Sequence, residues 1–432
     1  METNTRNVTV KINRLGRIRN SQLEVLPFVF FSGESGLGKS YMALLCHYFA
    51  GTLLTTSRLT RFFKEKAYDY TTLAKKFEDK GTALEITKAE LEGWLAKDSI
   101  SFMGMMLGHD ALSGEIEVKL PNVIPDKLTF HYEKRLTGIV GAEENDVFLN
   151  LEGLNYRVTS AFLEKESPFS SLLRAALSIY FFSEMFKVKR SYVFPPSRGV
   201  VLTERVLADT GMYGWLLQNL SELSRAENAS TTQSQLLLNL LHQILDGDIK
   251  REDNKYFYQM DGMESPIPIS AAAASVREIA PLELLARKGD VTHSSVLFEE
   301  PEAHLHPLKQ RMMADILSAF ANVGCFLQVT THSDYLIRRL NELIRLHEVK
   351  ERLKNDERRL NKLCQEIHTS PMLSLDSNNI AAYLLVSNGD GTSRIERQVV
   401  NDGVPYEAFS EAIDRSMETE LRLEEELDNA SE

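Results

Sequence analysis

The stretch Gly33-Glu-Ser-Gly-Leu-Gly-Lys-Ser40 constrains this chain more than any other part of it. Glycine, four residues, then Gly-Lys-Ser is the pattern of a loop that cradles phosphates. Successive amides in such a turn point inward at phosphate oxygens, and the helix that begins there adds the positive end of its dipole. Gly33, Glu34, Ser35, Gly36, Leu37 and Gly38 are therefore expected to wrap a triphosphate. Lys39 places a charge on its β- and γ-phosphates, and Ser40 offers a hydroxyl to Mg²⁺. An apolar run, Val25 to Phe31, precedes the loop and a helix-like segment, Tyr41 to Ala50, follows it. Strand, glycine loop, helix is the order that separates a functional loop from a chance glycine turn.

A second run, Val296-Leu-Phe-Glu-Glu-Pro-Glu-Ala-His-Leu-His-Pro307, reads as a buried strand ending in two acids. Phosphoryl transfer needs a metal to spread charge and a group to orient or deprotonate the attacking water. Glu299 is the expected Mg²⁺ ligand and Glu300 the expected base. One helix and one strand later, Thr330-Thr-His-Ser333 places His332 at a strand end, where it can reach the γ-phosphate as a switch. A transition-metal site built from Glu299, Glu300, Glu302, His304 and His306 is a rival reading. It leaves the glycine loop unexplained.

The bulk properties narrow the rest. The chain has 432 residues, with 43% hydrophobic and 25% charged, as in an ordinary globular protein. No apolar run is long enough to span a bilayer, and the start, METNTRNVTV, has no hydrophobic signal core, so a cytoplasmic location is expected. Cys46, Cys325 and Cys364 are too few and too scattered for a disulfide framework or a zinc cage. The net charge of −12 argues against nucleic acid as the primary partner. Arg14, Arg17 and Arg19, or Lys187, Lys189 and Arg190, are the local patches through which such a contact would run.

The spacing of polar and apolar residues predicts the organisation. Residues 1–55 form the N-terminal half of an ATPase core with its phosphate loop. Residues 56–190 form an inserted helical arm, helix-like over 56–98, followed by a hairpin of Gly114–Leu120 with Lys127–Tyr132. Residues 191–345 carry the second half of the core. A charged helical segment spans 346–370, where Leu346, Leu353, Leu360 and Ile367 recur every seven residues. Residues 371–432 read as a terminal hairpin, Ile380–Leu385 with Ser393–Val400, and a frayed acidic tail from Met417. The fold class is α/β: a P-loop NTPase of ABC type with an antiparallel β subdomain and an inserted helical lobe.

The long gap from Ser40 to Glu299, the acid–acid–Pro order and the downstream histidine resemble the ABC-like ATPases of the overcoming-lysogenization-defect group and their phage-defence relatives. The matching residues are GESGLGKS, Phe194-Pro-Pro-Ser-Arg-Gly199, FEEPEAHLHP and Thr330-Thr-His-Ser-Asp-Tyr-Leu336, with an opening VTVKINRLGRIRNSQLEV like that group's first strands. Within it, the chain is most similar to the ATPase subunits of PARIS-type systems. The resemblance implies an ATP·Mg²⁺-binding, slowly hydrolysing subunit that sandwiches nucleotide in a homo-oligomer, a dimer or a higher ring. Its partners would be a separate TOPRIM nuclease and a phage-encoded trigger protein, with no membrane. Two departures stand out. Glu299 replaces the aspartate of ABC transporters, and the signature region, Ile269 to Glu278, lacks the usual Ser-Gly. Ser270 or Ser275 is left to meet a γ-phosphate, helped by Arg277, or Ser270 merely caps a helix. His306 takes the place of an acid in the loop after the second motif. A DNA-repair ATPase of RecF or SMC type, a scaffold that holds ATP without cleaving it, and a transporter ATPase are the rival readings.

Overall fold

The structure is a computed structural model that describes residues 7–56, 58–136, 145–158, 167–203, 211–225, 232–252, 255–288, 291–400, 403–404 and 407–429. At its centre is a nine-stranded sheet in the order β5-β1-β2-β16-β15-β3-β14-β13-β9. Its parallel half comprises β9 (Arg190–Phe194), β13 (Ser294–Glu299), β14 (Phe326–Thr330), β3 (Phe28–Gly33) and β15 (Ile380–Ser387). These strands are nearly continuous apolar runs because both faces of the sheet are covered. β3 shows how: Phe28 and Phe30 point into one core and Val29 and Phe31 into the other. The other half is mostly antiparallel, built from β16 (Ser393–Gln398), β2 (Ile18–Glu24), β1 (Thr9–Leu15) and the edge strand β5 (Gly114–Lys119).

Among the described residues, the α-helices longer than four residues are, in chain order, α1 (Lys39–His47), α2 (Arg58–Glu65), α3 (Tyr70–Ala74), α4 (Lys88–Leu107), α5 (Pro168–Phe182), α6 (Gly211–Arg225), α7 (Thr232–Leu245), α8 (Ala274–Lys288), α9 (Pro307–Asn322), α10 (Asp334–Arg352), α11 (Glu357–Glu366) and α12 (Glu407–Asn429). Residues of α1, α2, α4 and α5 fill one core, and residues of α6 to α11 fill the other. A four-stranded antiparallel sheet, β4 (Lys80–Thr87), β6 (Lys127–Leu136), β7 (Asn145–Leu151) and β8 (Leu154–Val158), lies within the inserted segment. A smaller one joins β10 (Gly247–Glu252), β11 (Lys255–Met260) and β12 (Ile267–Pro268).

Several sequence expectations change. Gly114–Leu120 and Lys127–Tyr132 do not pair with each other: β5 joins β1 in the central sheet, and β6 lies between β4 and β7. The connection between them carries Pro121 and Pro125 and is pinned by Lys88 Nζ on the carbonyls of Pro121 and Ile124, so the chain leaves one sheet for the other. β4 interrupts the region read as helical, where buried Leu84 and Ile86 alternate with exposed Glu85 and Thr87 at a strand's period of two. The terminal hairpin is an internal part of the central sheet, with β15 hydrogen-bonded to β3. The acidic tail is helical up to Asn429. The seven-residue repeat, which could seed a short helical hairpin or a coiled coil, spans two helices with a turn between Arg352 and Glu357, as the first alternative has it.

Two buried polar clusters tie the insertion and the sheet to α1. The Asp98 carboxylate accepts from Arg58 Nε at 2.6 Å and from the Tyr48 hydroxyl at 2.8 Å. His47 Nδ1 donates to Gln328 Oε1 at 2.6 Å and its Nε2 accepts from Ser191 at 2.8 Å, which links α1 to β14 and β9. Burial lowers the His47 imidazole to about 4 from 6.5. The unfolded chain therefore takes up this proton first as pH falls, and stability drops between about pH 6.5 and 4. Urea unfolding of His47→Gln should show a shallower loss over that window than the parent protein. Asp98→Ala strands a buried guanidinium and should cost roughly 3–5 kcal/mol in the same measurement.

Candidate nucleotide site

The site lies where the parallel strands end. β3 runs into the glycine loop, and α1 starts at Lys39 after Gly38 turns with φ 107°. At Gly33, φ is 119°, and a Cβ would lie 2.5 Å from the Leu385 carbonyl of β15. Only glycine fits there, on both counts. The loop is also held by residues far away in sequence. Ser393 Oγ donates to the Leu37 carbonyl at 2.7 Å, and Arg17 Nη1 donates to the Gly36 carbonyl at 3.3 Å. Glu34, Ser35 and Gly36 form the exposed lip. The Lys39 ammonium bends back onto the carbonyls of Gly33 and Glu34, at 2.9 and 2.8 Å. Burial lowers its pKa to about 8, against the opposing pull of Glu300, Glu299 and Glu302.

β13 delivers the acids to the same place. The Ser40 hydroxyl donates to Glu299 Oε2 at 2.6 Å across 259 residues of sequence. Glu299 Oε1 is buried with no hydrogen-bond partner. Burial, as the largest cause, pushes this carboxyl up to about 7, with Glu300 adding to the shift and Ser40 and Lys39 opposing it. A hydroxyl and a carboxylate with one oxygen left orphaned are hard-oxygen donors of the kind Mg²⁺ takes. The residues fit that ion, and Ser40 with Glu299 would hold it.

Glu300 follows in the left-handed region, φ 45°, uncommon for a residue with a side chain. Its amide is fixed by the backbone and side-chain oxygens of Thr330, at 3.1 and 3.2 Å. That turn exposes the Glu300 carboxylate, whose Oε1 lies 3.6 Å from His332 Nε2. The imidazole also lies 3.5 Å from the Ser35 hydroxyl, so it bridges the phosphate loop and the acid. Burial, then Lys39, lowers its pKa, while Glu300 opposes the shift. Lys39, Ser40, Glu299, Glu300 and His332 are thus brought together.

Ser270 and Ser275 are not part of this cluster. Ser270 is exposed in a 3₁₀ turn, Ile269–Ala271, which ends before α8 begins, so it does not cap that helix. Ser275 is half-buried in the first turn of α8. His306 caps α9 by accepting from the Leu308 amide at 3.4 Å, a structural contact. Among the described residues, no group of three or more His, Cys, Asp or Glu side chains is placed to hold a metal ion. Most residues of the two basic patches have partners of their own: Arg14 pairs with Glu115, Arg17 and Arg19 bind backbone carbonyls, Lys187 pairs with Glu184, and Arg190 with Glu222.

Sequence reasoning missed what two residues do in shaping the site: Glu302, considered only as a ligand in the rival metal reading, and Arg198, quoted only as part of a motif. Buried Glu302 accepts from Thr331 Oγ1 at 2.7 Å and from the His332 amide at 2.6 Å, which sets the position of His332. Arg198, fully buried, donates to the carbonyls of Pro195, Glu278 and Glu299. Both sit in quoted motifs, EEPEAHLHP and FPPSRG, but nothing in the spacing says what they touch. Removing the Glu302 carboxylate should misplace His332 without touching the phosphate loop. Glu302→Ala is expected to lower turnover by at least about tenfold. The affinity for a fluorescent ATP analogue should stay within about threefold of the parent value, a difference of roughly 0.7 kcal/mol.

Residues 216–337 match the family model AAA_15, an AAA ATPase domain. That span holds both acids and the histidine, and the phosphate loop lies outside it. No curated protein matches the chain. Among solved structures, an SMC head bound to the C-terminal winged-helix domain of ScpA has 11% identity and a TM-score of 0.39, over 94% of this chain and 99% of that one. The SMC head domain from Thermotoga maritima has 10% identity and a TM-score of 0.35, over 92% and 100%. MJ0796, a bacterial ABC transporter cassette solved as a dimer, has 11% identity and a TM-score of 0.29, over 77% and 90%. No helix among the described residues is long and apolar enough to cross a membrane. Sheet order, phosphate loop and converging acids make the fold that of a mixed α/β P-loop ATPase.

Proposed function

We propose that this protein binds ATP·Mg²⁺ at the Lys39–Ser40–Glu299 site between two subunits and hydrolyses it slowly. The convergence of Ser40 with Glu299, and of His332 with Glu300 and Ser35, carries the reading. Lys39 leaves the loop carbonyls for the β- and γ-phosphates. Mg²⁺, when bound, screens the phosphate charge. Glu300 orients the attacking water and takes its proton, and His332 holds the γ-phosphate end of the site. Ser270, exposed in the turn before α8, and Ser275, half-buried in its first turn, are offered to the γ-phosphate of a neighbouring copy in a homo-oligomer. The absence of a glycine beside them limits close backbone approach, in keeping with slow turnover.

The motifs shared with phage-defence ATPases support a finer reading. The subunit acts as a sensor and scaffold in the cytoplasm, holding a TOPRIM nuclease and releasing it on meeting a phage protein. The DNA-clamp reading lacks comparable support, because Arg14, Arg19, Lys187 and Arg190 of the two candidate patches are engaged by acids and carbonyls. It predicts salt-sensitive duplex binding in gel shifts.

Phosphate release from the purified protein tests the chemistry. Lys39→Ala should abolish nucleotide binding, and Glu300→Gln should keep ATP but lose about 10²-fold or more in turnover. Normal hydrolysis by Glu300→Gln would remove its role as base, and no hydrolysis by the parent protein would leave an ATP-holding scaffold. Plaque counts test the biology: in cells that also carry the nuclease gene, Lys39→Ala should lose protection, and full protection by that variant would end the defence reading.

A further inference from the structure

Two surfaces far apart in sequence match each other and play no part in nucleotide chemistry. A groove of about 400 Å³ lies between the end of α10 and α11. Val349, Leu353 and Leu363 line it with half-buried apolar side chains, and Arg352, Arg359 and Lys362 stand exposed around them. The rim holds one acid, Glu366, 3.8 Å from Lys362 Nζ. The second surface is α12. Its Met417, Leu421 and Leu423 are 57%, 58% and 61% exposed, and Met417 and Leu421 sit one turn apart on the same side. Around them the exposed residues include Asp414, Glu418, Glu420, Glu424, Glu425 and Glu426, against Arg415 and Arg422. An exposed apolar stripe on so acidic a helix marks an interaction surface.

We propose that α12 of one copy seats in the α10–α11 groove of a second copy. Met417 and Leu421 would cover Val349, Leu353 and Leu363, and the α12 acids beside them would face Arg352, Arg359 and Lys362. Charge decides the occupant. Two α12 helices side by side would set acid against acid, whereas the groove supplies cations around an apolar floor. The side chains from Asp414 to Leu427 are all exposed in the folded chain, so they do not fill their own groove. That stretch rises about 20 Å, enough to cross two helices packed roughly 8–10 Å apart. Reciprocal exchange gives a closed two-fold contact separate from the nucleotide sandwich.

Sedimentation velocity on the nucleotide-free, full-length protein tests this, because assembly through bound ATP is then absent. Arg359→Glu with Lys362→Glu, and separately Glu424→Lys with Glu425→Lys, should each weaken self-association by about tenfold or more. An equimolar mixture of the two reversed proteins should associate within about threefold of the parent, since each groove then meets a helix of opposite charge. All four side chains are exposed, and circular dichroism checks that both variants fold. Unchanged association in both variants overturns the proposal. So does a failed mixture, or a cross-link from α12 to the groove confined to one chain. Loss of binding to a labelled DNA duplex by the Arg359/Lys362 variant, with self-association unchanged, assigns the groove to nucleic acid and overturns it too.

Discussion

The guanidinium of Arg198 is fully buried and spends its donors on backbone carbonyls of three segments: Pro195 in its own loop, Glu278 in α8, and Glu299 at the end of β13. Glu278 answers with its carboxylate, which accepts from the Gly199 amide at 3.2 Å and lies 3.8 Å from Arg198 Nε. Burying a cation is expensive unless its hydrogen bonds are made, so the three segments are obliged to meet at this point. Desolvation lowers the Arg198 pKa, and the surrounding glutamates oppose it. Through this one side chain, the helix that carries Ser275 is coupled rigidly to the backbone that presents both Glu299 and Glu300.

A second constraint acts on the phosphate loop from the far end of the chain. β15 lies so close to Gly33 that no side chain fits, and β16 fixes Leu37 through Ser393. The loop is therefore shaped by a hairpin more than 340 residues downstream, and not only by its own glycines. Glu302 does the same for His332: its carboxylate is committed to Thr331 and to the His332 amide, so the histidine faces Ser35 and Glu300 from a fixed turn. Burial raises the Glu302 pKa, and the donors from His332 and Thr331 offset part of that cost.

The turn at Glu300, just past the end of β13, shows strain placed where chemistry is expected. A residue with a side chain held at φ 45° persists only when its surroundings over-determine it. Here Thr330 grips the Glu300 amide with two oxygens. The reward is direction: Glu299 turns inward to Ser40, and the next carboxylate turns outward towards His332.

What was legible in the sequence is what short-range chemistry dictates. A glycine loop before Lys-Ser, an apolar run ending in two acids, and a strand ending in Thr-Thr-His can each be recognised from consecutive residues, because one strand and one turn suffice to place them. Their mutual orientation was expected from motif order, and their contacts are tertiary facts. Strand partners were not legible: the alternation in Gly114–Lys119 says that it is a strand, but whether it meets β1 or β6 depends on which exposed edge is free when the sheets close. Nor did the sequence show that the last hairpin completes the central sheet, that Arg198 clamps three carbonyls, or that Glu302 holds a histidine. Such contacts join residues tens to hundreds apart, and only the packed chain brings their donors and acceptors within reach.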